Sequence, residues 1–378
     1  MYLRGSFFNS HCLKTITIVF FLFCLIGITA KGVILHENEE PPANWLPIEI
    51  TQACGRWHSS GSCNAIGPNH IISAKHLAPT IDNNNPANNT PVTFNNIIYR
   101  IVETFSHTTA DLRVSKIETL SGTPANLTYY VPFYDLESDS DFTSGNAEIA
   151  ICSYGLYRGA TLVFENDQNQ PYGYVWFGDN STIHMGANNL DLKGHIIPGE
   201  LNWFNKYHGD VTTSYGTTDC LVFDFDDIGT GQHVQYEASV ANKDSGGGWF
   251  YFKDNQWYIV GISLFVFPHS GETWFRDDSS GTPLAPDLSF GVHLSQYITW
   301  VEGIVPTPTC KIFLEGDIDN DCTVDQVDLE MLIAQWLDDN CNVGNLYCQW
   351  GDVDYNSVVD LSDYNFLYNN WLETVPLY

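Results

Sequence analysis

Three short segments carry a base, a carboxylate and a hydroxyl in an arrangement that nucleophilic catalysis could use. HIISAKHLAP (70–79) runs an apolar strand from His70 to Ser73 into Ala74-Lys75-His76, leaving an imidazole at a strand end. TTADLRVSKIETL (108–120) sets Asp111 just ahead of a strand that alternates Leu112, Val114 and then Ile117. NKDSGGGWF (242–250) presents Ser245 before Gly246, Gly247 and Gly248. Glycines let a backbone fold tightly beneath a reactive hydroxyl, although Ser, Asp and Gly are also the ordinary residues of turns. Acyl transfer through serine needs a base within hydrogen-bond reach of Oγ and a carboxylate to orient that base. His…Asp…Ser is one of the chain orders in which the constellation occurs. Asp135, Asp139 and Asp141 lie downstream, but none heads so regular a strand.

A second chemistry is written near the C-terminus. GDIDNDCTVDQVDLEMLIAQWL (316–337) repeats as GDVDYNSVVDLSDYNFLYNNWL (351–372) at a period of 35 residues. The first copy puts oxygen side chains at Asp317, Asp319, Asp321, Asp325 and Asp328; the second at Asp352, Asp354, Asn356, Asp360 and Asp363. These are positions 1, 3, 5, 9 and 12 of a loop, and the carbonyls of Thr323 and Val358 fall at position 7. Calcium is a hard cation that takes six to eight oxygens, and alternate positions of a coiled loop converge on one point. Two Ca²⁺ sites are therefore expected, and no cofactor for catalysis. In each copy position 6, commonly glycine, is filled by another residue, Cys322 or Ser357. Leu329, Leu332, Ile333 and Trp336 are expected to share one face of the helix that follows.

Between these motifs the chain reads as an all-β protein. From about Trp45 to Val305, short runs rich in Val, Ile, Tyr and Phe alternate with Gly, Asn, Asp and Pro; examples are NIIYRIV (96–102), GYVWF (173–177) and QWYIVGISLFVF (256–267). That texture fits a barrel or sandwich. SQYITWVEGI (295–304) has helical spacing through Leu294, Tyr297, Ile298 and Val301, and VPTPT (305–309) is an extended Pro/Thr linker. The expected division is a signal peptide (1–30), a polar lead-in (31–44), a β domain (45–304), the linker (305–309) and a small helical calcium-loop domain (310–378).

Composition narrows the setting. Arg4 and Lys14 precede or flank a 13-residue apolar run, Ile16–Ile28, with Ala30 as a small residue for cleavage. That is an export signal, too short to span a hydrocarbon core, so a secreted or cell-surface bacterial protein with no membrane segment after cleavage is expected. A net charge of −30 leaves no basic footprint for nucleic acid. Cys54, Cys63, Cys152, Cys220, Cys310, Cys322, Cys341 and Cys348 make an even set beyond the signal, read as disulfides within each domain, with Cys54–Cys63 suggested by proximity.

Taken together, SAKH, ADLRVSKI, KDSGGG, VGISLF (260–265) and LSQYITWVEGI (294–304) resemble, in order, the landmarks of chymotrypsin-like (trypsin-fold) serine proteases. The resemblance covers about Trp45 to Ile304. It implies a two-barrel protease domain with His76 as general base, Asp111 as its orienter and Ser245 as nucleophile. The N–H groups of Lys243 and Ser245 would form the oxyanion hole, and Ser239, Ser263 and Phe265 would line the substrate pocket. With Ser239 at the pocket base no preference for Lys or Arg is expected, and Phe265 would favour small or medium apolar side chains. The sequence departs from that pattern at Lys243, where the family usually has glycine, and no Ile-Val-Gly-Gly activation sequence follows the signal. The tail, Cys310 to about Leu372, resembles a dockerin type I module, which implies a cohesin-type scaffold partner.

The expected function is a secreted serine endopeptidase that cleaves a peptide or protein substrate through an acyl-enzyme. Its calcium-binding module would tether it to a scaffold or cell-surface partner. Two alternatives differ in class: a catalytically inactive protease-fold binding module whose operative part is the tail, and a hydrolase of non-peptide esters.

Overall fold

The computed structural model describes residues 33–36, 41–42, 44–58, 60–163, 170–190, 208–229, 233–254, 256–267, 269–276, 286–305, 314–318, 322–342, 345–354 and 356–373. The expected signal peptide, most of the Pro/Thr linker, Cys310, Asp319 and Asp321 lie outside the described residues. Among the described residues no helix is long and apolar enough to cross a membrane.

Strand-forming runs build two β units. β1 is Ile34–Leu35; β2 Cys54–Trp57, β3 Gly61–Gly67, β4 His70–Ser73, β5 Pro91–Phe94, β6 Ile97–Ser106 and β7 Arg113–Thr119. β2 to β7 close into a barrel in the order β2-β3-β4-β7-β6-β5, the last joint being made by Arg56 and Trp57 of β2 against Thr93 and Val92 of β5. Closure removes the sheet edges, and Ile72, Ile101, Val114 and Ile117 of the barrel wall are all inaccessible to solvent.

The second unit uses β8 Glu148–Ser153, β11 His184–Asn189, β12 His208–Thr213, β13 Gly216–Asp224, β15 Gly248–Lys253, β16 Gln256–Phe267 and β18 Leu288–His293. Its order is β11-β8-β15-β16-β18-β13-β12, antiparallel throughout, and among the described residues no backbone ladder closes it. The all-β expectation holds, and where two barrels are expected the described residues form one closed barrel and one seven-stranded sheet. Asn188 of β11 crosses between β11 and β13 instead: its amide donates to Asp224 O at 2.7 Å, and also to Glu237 and Ala238 O. A smaller sheet sets β10 (Pro171–Phe177) between β9 (Tyr157–Val163) and β17 (Glu272–Trp274).

The segment expected as a polar lead-in contains a buried strand. β1 pairs with β14 (Ala238–Ser239), Ile34 opposite Ser239, and Val33 and Ile34 are fully buried. His36 follows them into a wall of Phe225, Phe275 and Tyr174 rings. Burial lowers its pKa to about 4 although Asp227 opposes the shift. The apolar run Val33-Ile34-Leu35 explains why this stretch docks.

The cysteines correct a second expectation. Cys54, Cys63, Cys152 and Cys220 are free, buried thiols. In the β2–β3 register Cys54 faces Asn64 and Cys63 faces Gly55. Directly opposed residues share a face and neighbours alternate, so the two thiols point to opposite sides and cannot bridge. Burial raises the Cys63 and Cys152 thiols well above their ordinary value. In the tail Cys341 and Cys348 are joined, and Cys322 is also disulfide-bonded.

Helix α1 (Ile48–Ala53) leads into the barrel, α2 (Ser140–Ser144) precedes β8, and α3 (Ile298–Glu302) ends the β region after a 3₁₀ turn at Leu294–Tyr297. The tail adds α4 (Gln326–Ala334) and α5 (Leu361–Asn369), each begun by a capping box: Asp325 with Asp328, and Asp360 with Asp363. The two copies clasp each other reciprocally. Val324 N–H donates to Glu373 O and its carbonyl accepts from Leu372, while Val359 N–H donates to Asp338 O and its carbonyl accepts from Leu337. Leu332 and Leu367 bury beneath this clasp, but Ile333 and Trp336, expected on the same face as Leu332, are exposed. The α4 helix stops at Ala334, before its stripe completes a further turn. Trp350 packs edge-on against Tyr129 of the β region, centroids 6.1 Å apart.

Candidate active site and metal centre

Barrel pairing brings the first two residues together. β4 and β7 are neighbours with Ser73 opposite Arg113, so the chain leaving β4 toward His76 and the chain entering β7 from Asp111 emerge at one end. The ladder gains a further step, Lys75 N–H to Asp111 O at 3.3 Å. Asp111 then holds His76 twice: Oδ1 accepts the His76 backbone N–H at 2.8 Å, and Oδ2 lies 2.7 Å from Nδ1. Asp111 is itself buried, and its N–H donates to Thr218 Oγ1 of β13 at 2.7 Å. A carboxylate acceptor at Nδ1 places the proton of a neutral imidazole there, leaving Nε2 as the basic atom. The Tyr215 ring, from the β12–β13 turn, stands 5.5 Å from the imidazole, and its carbonyl accepts from Lys75 Nζ.

Ser245 sits between β14 and β15 on a loop pinned from both units. Ser62 N–H of β3 donates to Ser245 O at 2.8 Å, and Asn64 Nδ2 to Gly246 O at 2.8 Å. From the other side, Gly246 N–H donates to Ser263 O of β16 at 2.8 Å. Gly246 has φ +82°, and a Cβ there would fall 2.1 Å from Ser62 O, so only glycine fits. Leu77, next to His76, reaches the same spot: a Cβ on Gly61 would meet Leu77 Cδ1 at 2.6 Å and Ser245 O at 2.8 Å.

The turn before Ser245 is strained. Lys243 has φ +73°, left-handed backbone that costs a non-glycine residue about 1–3 kcal/mol. The N–H groups of Lys243 and Ser245 meet no acceptor among the described residues. Two unsatisfied donors in one tight turn are the raw material of an oxyanion site. Asp244, between them, is fully buried and accepts from the Ser153 hydroxyl and from Ala241 N–H at 2.7 Å. Burial raises it to about 7 against the pull of those two bonds. Gly155 makes the room, since a Cβ there would lie 1.9 Å from the Asp244 carboxylate.

The Ser245 hydroxyl donates to Leu264 O at 3.2 Å, and no hydrogen bond joins it to His76 among the described residues. Its acceptor is free because the β16–β18 register shifts between Ser263 and Phe265, which takes Leu264 out of the ladder. Ser239 and Ser263 are buried and internally bonded: Ser239 Oγ donates to Val240 O, and Ser263 Oγ accepts from the Trp249 indole N–H at 2.8 Å. Phe265 stacks on Phe290 at 4.7 Å. Asp135 and Asp139 serve as caps, of a 3₁₀ turn and of α2. Although burial works against it, bonds from Lys253 and Tyr134 hold Asp139 down to about 2.

In the second tail loop Asp352, Asp354 and Asp363 bring a carboxylate oxygen each within 4.8 Å of one another. Backbone donors hold them there: Asn356 and Ser357 N–H on Asp352, Asp354 and Asp360 N–H on Asp363. Hard oxygen donors with no cationic partner fit a calcium ion. Asp360 is instead spent as the cap of α5, bonding Ser362 N–H, and Asn356 Oδ1 accepts from Val358 N–H. In the first loop Asp317 takes the Cys322 N–H and Asp328 the Ile318 and Asp325 N–H groups, while Asp325 caps α4.

Sequence reasoning missed Thr218, Ser153, Tyr215 and the Leu264 carbonyl. Each arrives from a distant strand or turn, and none carries a local motif. No known family matches the chain, and no curated protein matches it either.

Proposed function

We propose that the protein is a secreted serine endopeptidase of chymotrypsin-like, two-barrel type, carried by a calcium-binding dockerin-like module. The observation that carries this reading is the doubly bonded His76–Asp111 pair at the seam where the pinned Ser245 loop offers two unsatisfied N–H donors. In the reaction the Ser245 hydroxyl turns from Leu264 O to His76, and Oγ attacks the substrate carbonyl as Nε2 takes the proton. The carbonyl oxygen gathers charge facing the N–H groups of Lys243 and Ser245. His76 returns the proton to the leaving amine as the C–N bond breaks, and a water activated by His76 then cleaves the acyl ester. Asp111 keeps the ring in register and stabilises the imidazolium. The neutral surroundings of Ser239 and Ser263, with Phe265 alongside, support small or medium apolar side chains at the cleavage site.

A fluorophosphonate probe tests this directly. Covalent labelling of the calcium-loaded protein that vanishes in Ser245→Ala is the expected result; no labelling of folded protein would overturn the endopeptidase. The Ser245–Leu264 bond favours a second reading, a binding module without turnover. Calcium-dependent capture of a cohesin-type scaffold, with no hydrolysis of any peptide library, would be its signature.

A further inference from the structure

Away from the Ser245 loop, at the opposite end of β8 and β15, a cavity of about 250 Å³ opens between the start of β8 and the β15–β16 hairpin. Its walls include Trp45, Tyr251, Phe252 and Trp257, and two carboxylates, Asp141 and Glu148, face it. The aromatic groups come from three separate stretches of chain, and Trp257 packs tilted on Phe252 with centroids 5.1 Å apart.

The two acids are not equivalent. Asp141 is matched by Lys253 at 3.2 Å and accepts from Tyr251 Oη, while the same lysine also pairs with Asp139 at 3.0 Å. The positive charge at the rim is thus consumed. The Glu148 carboxylate has no hydrogen-bond or ion-pair partner among the described residues. Glu148 is exposed at the start of β8, and partial desolvation raises its pKa with no neighbouring charge contributing. A carboxylate without a partner at the mouth of an aromatic cavity leaves a local excess of negative potential. The indoles of Trp45 and Trp257 line the same space, where aromatic rings favour a cation, and the chain's net charge of −30 adds a long-range pull on cations.

We propose that this cavity binds an organic ammonium group, with Glu148 as counter-ion and the Trp45 and Trp257 rings as its walls. The volume suits a single head group rather than a drug-sized molecule. The same chemistry occurs in a free quaternary amine and in a lysine side chain of a polypeptide. The site is independent of the endopeptidase reading, because none of its residues belongs to the Ser245 site.

The test is a fluorescence titration of the full calcium-loaded chain with choline, with its uncharged isostere 3,3-dimethylbutan-1-ol, and with the tripeptide acetyl-Gly-Lys-Gly-amide. Saturable tryptophan quenching by choline or the lysine peptide is expected, with the isostere at least about tenfold weaker. The tighter of the two cationic arms identifies the source. Glu148→Gln should erase the preference for charge while leaving the near-ultraviolet dichroism unchanged, and Trp257→Ala should weaken both cationic arms. Equal binding of choline and the isostere, undiminished preference in Glu148→Gln, or no saturation by either cation would overturn the proposal.

Discussion

The turn at Lys243–Gly247 and the loop at Asp352–Asp363 meet one backbone requirement and leave opposite electrostatic situations. Each places a residue with a side chain in left-handed backbone, Lys243 at φ +73° and Ser357 at φ +78°, with Cys322 of the first tail loop at +73°. At Ser357 the N–H thereby reaches Asp352 Oδ2 at 3.0 Å, whereas the Lys243 N–H meets no acceptor among the described residues. The buried acid of the first turn, Asp244, is satisfied by Ser153 and Ala241. The acids of the second loop are held in position by backbone donors, yet they still face one another. Burial and the neighbouring Asp363 and Asp354 raise Asp352. The first turn is therefore complete as folded and spares its donors for a ligand's negative charge. The second spares negative charge for a cation.

The largest expected effect tests whether the first site is complete. Asp111→Asn keeps the shape but puts an amide where Nδ1–H needs an acceptor, favouring the wrong tautomer. Peptidase turnover should fall by about 10⁴-fold while the fold persists. A variant with wild-type turnover would show that the His76–Asp111 pair is structural only.

How much of this was legible depended on whether the signal was local. β16 coincides with the run 256–267 because an uninterrupted apolar stretch leaves few alternatives to a long central strand. The His76–Asp111 contact was readable because both residues flank strands that pair directly. Cys54–Cys63 failed because sequence proximity says nothing about register, and register sends the two thiols to opposite faces. Thr218 and Ser153 were illegible for a related reason: a hydroxyl in a β-strand acquires a role only when a distant chain delivers Asp111 or Asp244 to it. In the tail the oxygen spacing identified Asp352, Asp354 and Asp363. It could not separate Asp360, whose carboxylate is claimed by the helix it caps.

The next effect concerns Asp244. Burial raises its folded pKa to about 7, well above the ordinary carboxylate range. The stability it contributes is therefore present below the unfolded pKa and lost as pH rises through the folded one. The window is about pH 4 to 7, and the loss is on the order of 4 kcal/mol at most. His36 runs the other way: its pKa is lowered, so its share is present above 6.5 and lost as pH falls toward 4. Denaturation midpoints of wild type and Asp244→Asn across this range isolate the Asp244 share, since the variant removes it and keeps the dependence of His36 and of the other shifted carboxyls such as Asp287. Parallel curves would mean that the Asp244 carboxyl is not shifted by folding.

Calcium probes the second loop. At about a hundred times its dissociation constant, a ligand bound only by the folded tail adds about 2.7 kcal/mol. The tail's melting transition should rise by that amount between chelator and calcium, and Asp354→Asn should shrink the rise. A transition indifferent to calcium would place both loops with the self-satisfied turn and dissolve the contrast.

The smallest effect asks whether the shared left-handed backbone is equally strained in the two places. Replacing Ser357 or Lys243 by glycine relieves about 1–2 kcal/mol of Cβ crowding, but glycine returns about 0.5–1 kcal/mol through the entropy of the unfolded chain. A net gain of roughly half a kcal/mol follows for Ser357→Gly, whose side chain is exposed. Lys243→Gly should gain less, because its ammonium also helps to hold the exposed Asp179 carboxylate below the usual range, after the bonds from Ser181. An exposed attraction of this kind is weak and screened by salt, so it trims the gain rather than reversing it. Chemical denaturation at low and high salt tells the cases apart: salt should bring the Lys243→Gly gain up toward that of Ser357→Gly by screening the pair. If Lys243→Gly instead destabilises at every salt concentration, the lysine stem packs in the turn, and the residue is there to shape the loop that presents Ser245.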